Sequence, residues 1–243
     1  SRLLANRFFI ERGNPKVHWD AGINSLPIRV ACEKNIKLVF YAEHGESEYG
    51  GKVLNKNSDK IRNFEEVIEN QIGDDPKNWI SDQVKENDLI PYIYPKLDLI
   101  NEKKISAYYF SYFEKWDVHE NYRFIKSKMN FVKNNGRITG TFQNYDSLDD
   151  YIDPLYYYMQ YIKFGFGRAL RDASRLIRNN HLDRKKGLEY VNLYDGEFPD
   201  KEFQTVLNYL NLTSEKFHII VDKHRNNEIW KKAANTHKLK FEI

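Results

Sequence analysis

The sequence predicts an α/β region followed by a mainly helical one, and three features carry that expectation. A helical pattern precedes a short apolar run at Lys37–Ala42. That run leads directly into a polar, glycine-bearing loop. From residue 148 onward, apolar positions recur at helical spacing. Helix, strand and then a polar loop at the strand's C-terminal end is the α/β order, and open α/β sheets hold ligands at that end. The expected division is residues 1–113 for the α/β part and 114–243 for the helical part.

The elements follow in order. Leu3, Leu4, Phe8 and Ile10 give the first helix, which Gly13-Asn14-Pro15 stops. Asn24 or Ser25 can cap the next helix, with Pro27 inside its first turn. Lys37–Ala42 then reads as a short buried strand, and residues 46–60 as loop. Helices are expected at about 60–71 and 76–86, a second strand over Ile105–Phe113, and a helix from Asp117, a good N-cap, to Lys128. Beyond the loop at 133–147 the pattern is helical to the end, at roughly 148–163, 168–179, 183–193, 199–210 and 213–223. A helical pattern is already under way at Ser1 with no methionine before it, which reads as a truncated or renumbered start.

Composition narrows the function. Tyr, Phe and Trp number 17, 15 and 4, enough apolar mass for a packed core. A net charge of +3 is too small to imply a nucleic-acid partner. The single Cys32 excludes an intrachain disulfide and any zinc site needing several cysteines, and it fits a reducing cytoplasm. The longest apolar stretch, Leu38–Ala42, falls far short of the roughly 20 residues of a membrane span. An oligomer is left open.

Three segments combine residues that can do chemistry. Glu43, His44, Gly45, Glu46, Gly50 and Gly51 follow directly on the strand. Carboxylates there suit Mg²⁺ beside nucleotide phosphates, while the bland alternative is a solvated loop with turn glycines. After Gly165 and Gly167, Arg168, Arg171, Asp172, Arg175 and Arg178 share one helix face. That stripe either clamps a carboxylate or phosphate or faces water as the polar side of an amphipathic helix. His18-Trp19-Asp20 stands just before an expected helix N-terminus, where an anion can be received or Asp20 can cap the turn. The other histidines are scattered without ligand spacing.

Several segments in one colinear order resemble the N-acetyl sugar amidotransferases of bacterial surface-polysaccharide and nonulosonic-acid biosynthesis, including the pseudaminic-acid type. They are Phe9–Gly13, Ala21–Asn24, Ala42–Gly51, Tyr112–Asp117, Lys163–Arg168 with Ala173-Ser174 and Ile177-Arg178, Tyr194–Gly196, Lys223–Asn226 and Ile229-Trp230. The resemblance implies a Rossmann-like PP-loop domain, of the adenine nucleotide alpha hydrolase-like class, followed by a mostly helical region. It implies ATP and Mg²⁺, adenylation of an N-acetyl carbonyl oxygen, and displacement of AMP by ammonia from a glutaminase subunit to leave an acetamidino group. An acidic N-acetylated sugar is the implied substrate.

On that reading Glu43, His44 and Glu46 are catalytic, with Glu43 and Glu46 on the metal and Gly45, Gly50 and Gly51 on the nucleotide. Arg168, Arg171, Arg175 and Asp20 bind the sugar. The chain departs from the family's pattern in two places. It contains no Ser-Gly-Gly-Lys-Asp-Ser type loop, so this polypeptide alone is not expected to bind ATP productively. It also lacks the cysteines that members often carry near His18. The alternatives are a tRNA-modifying or Asn-synthetase-like PP-loop enzyme and a non-catalytic partner-docking module.

Overall fold

The computed structural model describes residues 1–42, 67, 74–234 and 236–241. The chain forms two compact units, one of Ser1 with Lys16–Trp116 and one of Arg2–Pro15 with Asp117–Ile243. In chain order the elements begin with α1 (Arg2–Arg12, second unit), α2 (Val17–Lys34), β1 (Leu38–Tyr41), α3 (Glu86–Leu89), α4 (Leu97–Glu102) and β2 (Ser106–Tyr109). The second unit continues with α5 (Val118–Lys128), α6 (Asp153–Phe164), α7 (Arg168–Arg178), α8 (Arg184–Tyr194), α9 (Phe203–Leu210) and α10 (Ser214–Lys223). It ends in the hairpin β3 (Trp230–Ala233) and β4 (Thr236–Leu239).

In the first unit β1 and β2 pair in parallel, Leu38 opposite Ser106 and Tyr41 opposite Tyr109. Their inner face joins Ile28, Ala31 and Cys32 of α2 with Ile100, Ile105 and Ala107. A parallel pair backed by a helix is an α/β arrangement.

β1 is not the buried strand its apolar run suggests, because strand side chains alternate in face. Val39 and Tyr41 turn to the core, while Leu38 and Phe40 are each 50% exposed. Phe40 instead meets Tyr108, Phe110 and Phe113, aromatic residues at the end of β2 and just beyond it.

α2 starts at Val17, well before the start that its cap signals indicate. Asn24 Nδ2 and Ser25 Oγ do not cap forward; they donate back to the carbonyls of Asp20 (2.6 Å) and Ala21 (2.8 Å). Both side chains therefore bond back within the helix, which runs through Pro27. The helix expected at 76–86 is broken into a 3₁₀ turn, Pro76–Trp79, and the short α3, because Ser81 and Val84 bond to each other in a turn between them.

The core of the second unit gathers Ala5 and Phe9 of α1, Leu155, Met159 and Ile162 of α6, and Val206, Leu210, Phe217 and Val221 of α9 and α10. Phe9 and Phe217 stack at 5.3 Å and are fully buried, each contributing about 2–3 kcal/mol from area alone. α6 begins only at Asp153, where Pro154 supplies the preset first turn. The C-terminal end is not helical as the pattern suggested. β3 and β4 pair with Trp230 opposite Leu239, and the Trp230 indole donates to the Ile162 carbonyl at 2.8 Å.

Candidate functional site

The polar features of the second unit meet around α7. Its N-terminus is held by Asp195, whose carboxylate accepts the N–H of Gly167 (2.7 Å) and of Leu170 (3.2 Å). Burial pushes the Asp195 carboxyl up, against these hydrogen bonds.

The arginine stripe then turns inward. Arg168 and Asp172 are each 1% exposed. Arg168 Nη2 donates to the Asp146 carbonyl at 2.9 Å, and Nε lies 3.7 Å from the Asp172 carboxylate. Arg171 Nη2 stands 3.1 Å from both Asp146 and Asp172, and its Nη1 donates to the Tyr157 hydroxyl. Arg175 reaches Asp146 at 4.0 Å and is the least buried of the three guanidiniums. Thr141 adds its hydroxyl to Asp172 at 2.6 Å. Burial pushes the Asp146 carboxyl up, with Arg171 opposing.

A second cluster joins α5, the loop before α6 and the turn after α7. Asp117 caps α5, its Oδ1 accepting the N–H of His119 (3.1 Å) and Glu120 (3.2 Å). Its Oδ2 lies 2.8 Å from His181 Nε2. Burial raises the Asp117 carboxyl, but the hydrogen bonds from His181, Glu120 and His119 outweigh it and hold the group below its ordinary value.

The His119 and His181 rings lie 4.7 Å apart, and His119 Nδ1 is 3.1 Å from the Tyr145 hydroxyl. Tyr145 stacks on Tyr122 at 4.2 Å. Burial, and then the charges of Asp172, Asp146 and Asp117, push the Tyr145 phenol up, so it stays protonated. Burial and the neighbouring His181 push His119 down. The unit also carries a cleft of about 360 Å³ lined by Lys133, Asn134, Asp150, Tyr151 and Glu202 among others.

The structure sorts the sequence-predicted residues into three groups. Glu43, His44, Gly45, Glu46, Gly50 and Gly51 lie outside the described residues. Asp20 belongs to the first unit, and it sits within the first turn of α2 instead of before it. Arg168, Arg171 and Arg175 come together in the second unit, around carboxylates and turned away from water. Beside Asp20, His18 is buried, and burial first, then the charges of the N-terminus and Lys16, push it down to about 4.

Sequence reasoning missed His119, Tyr145 and His181. Asp117 was legible only as a cap, and 64 residues separate it from His181. Among the described residues no group of three or more His, Cys, Asp and Glu side chains is placed to hold a metal ion. No described helix is long and apolar enough to cross a membrane.

Residues 139–241 match the family model described as LPS biosynthesis protein WbpG-like, C-terminal domain. The matched segment, less than half of the chain, is thus similar to proteins of lipopolysaccharide biosynthesis and supports a biosynthetic enzyme. It contains Tyr145, the α7 arginines and His181, and it begins after Asp117 and His119. No curated protein matches the chain.

Proposed function

We propose that this chain is part of an ATP-dependent amidotransferase of lipopolysaccharide sugar biosynthesis, converting the N-acetyl group of an acidic or nucleotide-linked sugar into an acetamidino group. The observation that carries the reading is the similarity of residues 139–241 to the WbpG-like C-terminal domain. The colinear segments that resemble N-acetyl sugar amidotransferases extend it to residues 9–51, and the parallel β1–β2 pair backed by α2 is compatible with it.

An amide carbonyl is unreactive toward ammonia because its oxygen is a poor leaving group. ATP as co-substrate converts that oxygen into a leaving phosphate ester, and a glutaminase partner supplies the ammonia. Glu43 and Glu46 remain the residues proposed for Mg²⁺, with His44, Gly45, Gly50 and Gly51 beside the nucleotide and Asp20 toward the sugar. Of the arginines, Arg175 is the one whose exposure best suits contact with an acidic sugar, and Arg171 and Arg168 hold its surroundings.

The test uses the protein at its encoded length with Mg·ATP, ammonium and a panel of N-acetylated acidic and nucleotide-linked sugars. AMP formation coupled to replacement of the acetamido oxygen by NH, read by mass spectrometry, is the expected result. Absence of AMP formation with every such sugar, in the presence of the glutaminase as well as ammonium, removes the reading.

A further inference from the structure

We propose that Asp117 and His181 form an acid–base dyad, His181 carrying the proton and Asp117 positioning it, and that the dyad serves nitrogen entry at the N-acetyl carbon. The substrate named here rests on the amidotransferase reading above; the dyad itself rests on the geometry of the second unit.

Asp117 divides its carboxylate. One oxygen is fixed by two backbone N–H groups at the start of α5, which leaves the other aimed at His181 Nε2, 2.8 Å away. An ionised carboxylate only accepts, so the neutral imidazole carries its hydrogen on Nε2 and its lone pair on Nδ1. The His181 backbone N–H is itself anchored to the Leu176 carbonyl at 2.8 Å, so the residue is held through both ring and main chain. Nδ1 makes no hydrogen bond among the described residues, and the side chain is 20% exposed. A purely structural staple needs one His–Asp contact and no more.

Here a second imidazole lies against the first. Tyr145, kept protonated, shares a hydrogen bond with His119 Nδ1, and burial and the neighbouring His181 push His119 down. His181 Nε2 faces Asp117 at 2.8 Å and Glu120 at 3.8 Å. The charged and titratable groups around the dyad are Asp117, Glu120, His119 and Arg123 on α5, and Tyr145 from the loop before α6. An orienting carboxylate, an imidazole with a free nitrogen and a second imidazole 4.7 Å from the first are the parts of a proton-transfer site.

The ammonia lone pair forms a C–N bond to the activated N-acetyl carbon, and the C–O bond to AMP breaks with its electron pair leaving on the phosphate oxygen. One proton of the entering nitrogen passes to His181 Nδ1 and from there to the sugar-borne nitrogen, which leaves a protonated amidine.

The test uses His181→Gln and Asp117→Asn in the encoded-length protein. Asn keeps the α5 cap, since its amide oxygen accepts the same N–H groups. Its NH₂ then faces His181 Nε2 and drives the ring hydrogen onto Nδ1, the nitrogen that must be free. Both variants are expected to lose about 10²-fold or more in amidine formation. Sugar-dependent exchange of pyrophosphate into ATP should fall far less.

Histidine-ring nitrogen NMR reads the tautomer without any substrate: Nε2–H is expected in the parent protein and Nδ1–H in Asp117→Asn. Undiminished amidine formation in either variant, equal losses in exchange and amidine formation, or an Nδ1–H tautomer in the parent protein each overturns the dyad. Absence of pyrophosphate exchange in the parent protein with every sugar counts instead against the amidotransferase reading, and the tautomer then decides the dyad alone.

Discussion

Replacing Arg168 separates a guanidinium that holds the fold from one that holds a ligand. Its side chain has no exposed surface, and it donates to the Asp146 carbonyl at 2.9 Å. Losing that charge-assisted bond costs about 1.5–3 kcal/mol. Breaking a buried ion pair by removing one partner ordinarily costs about 3–5 kcal/mol, because the other charge is stranded. Here Asp172 keeps Thr141 at 2.6 Å and Arg171 at 3.1 Å, so the carboxylate is not orphaned and the low end applies.

Arg168 Nε and Nη1 make no hydrogen bond, and removing two buried unsatisfied donors returns part of the loss. Arg168→Met, which keeps a long apolar side chain in place, is therefore expected to cost about 2 kcal/mol. Arg168→Ala adds a cavity and should cost about 4 kcal/mol. Urea unfolding at pH 7, with the slope unchanged between variants, measures both. If Arg168→Met unfolds at the parent midpoint while sugar binding is lost, the guanidinium serves the ligand and the reasoning from burial is wrong.

Three further outcomes follow from the same geometry. Gly196 has φ +75°, and a Cβ there would fall inside the Tyr161 ring; Gly196→Ala should destabilise by more than about 3 kcal/mol or yield insoluble protein, and equal melting temperatures would contradict this. Asp195→Ala, which strips the acceptor from the N-terminus of α7, should cost about 2 kcal/mol, and Asp195→Asn less than half of that, in thermal unfolding. His18 has a folded value of about 4, below its unfolded value, so the neutral ring stabilises the fold above about pH 6.5 and that contribution is lost as pH falls toward 4. The parent protein should lose up to about 2 kcal/mol between pH 7 and pH 5 from this group, and His18→Gln should flatten that slope in urea titrations at the two pH values.

The parts of the fold that were legible are those whose signals are local. Asp117 at the start of α5 and Gly13 at the end of α1 act through their own backbone neighbours, and both ends lie where the sequence puts them. What was not legible depends on distant partners. Ser25 has the signature of a helix cap but sits 0% exposed in mid-helix, donating to Ala21, because α2 is held in place by packing that extends beyond its own turn. The β3–β4 hairpin escaped because Trp230 is anchored by the Ile162 carbonyl of α6, a contact no periodicity in Trp230–Leu239 announces.

The site shows the same division more sharply. Four arginines on one helix face look like a surface facing water or a ligand, since burial of a charge is costly unless it is paired. The pairing comes from half-buried Asp146, 25 residues before Arg171, and from buried Asp172 within the stripe, so two carboxylates answer three guanidiniums. The most polar face of α7 thereby becomes its inner face at Arg168 and Asp172. That inward turn fixes Asp146, and with it the loop that delivers the neighbouring Tyr145 to His119. Arg168 and Arg171 thus act on the His119–His181 cluster through position: they hold the loop that supplies its phenol. Substituting Arg171 should accordingly disturb the ring contacts of His119 before it disturbs any anion bound at the surface.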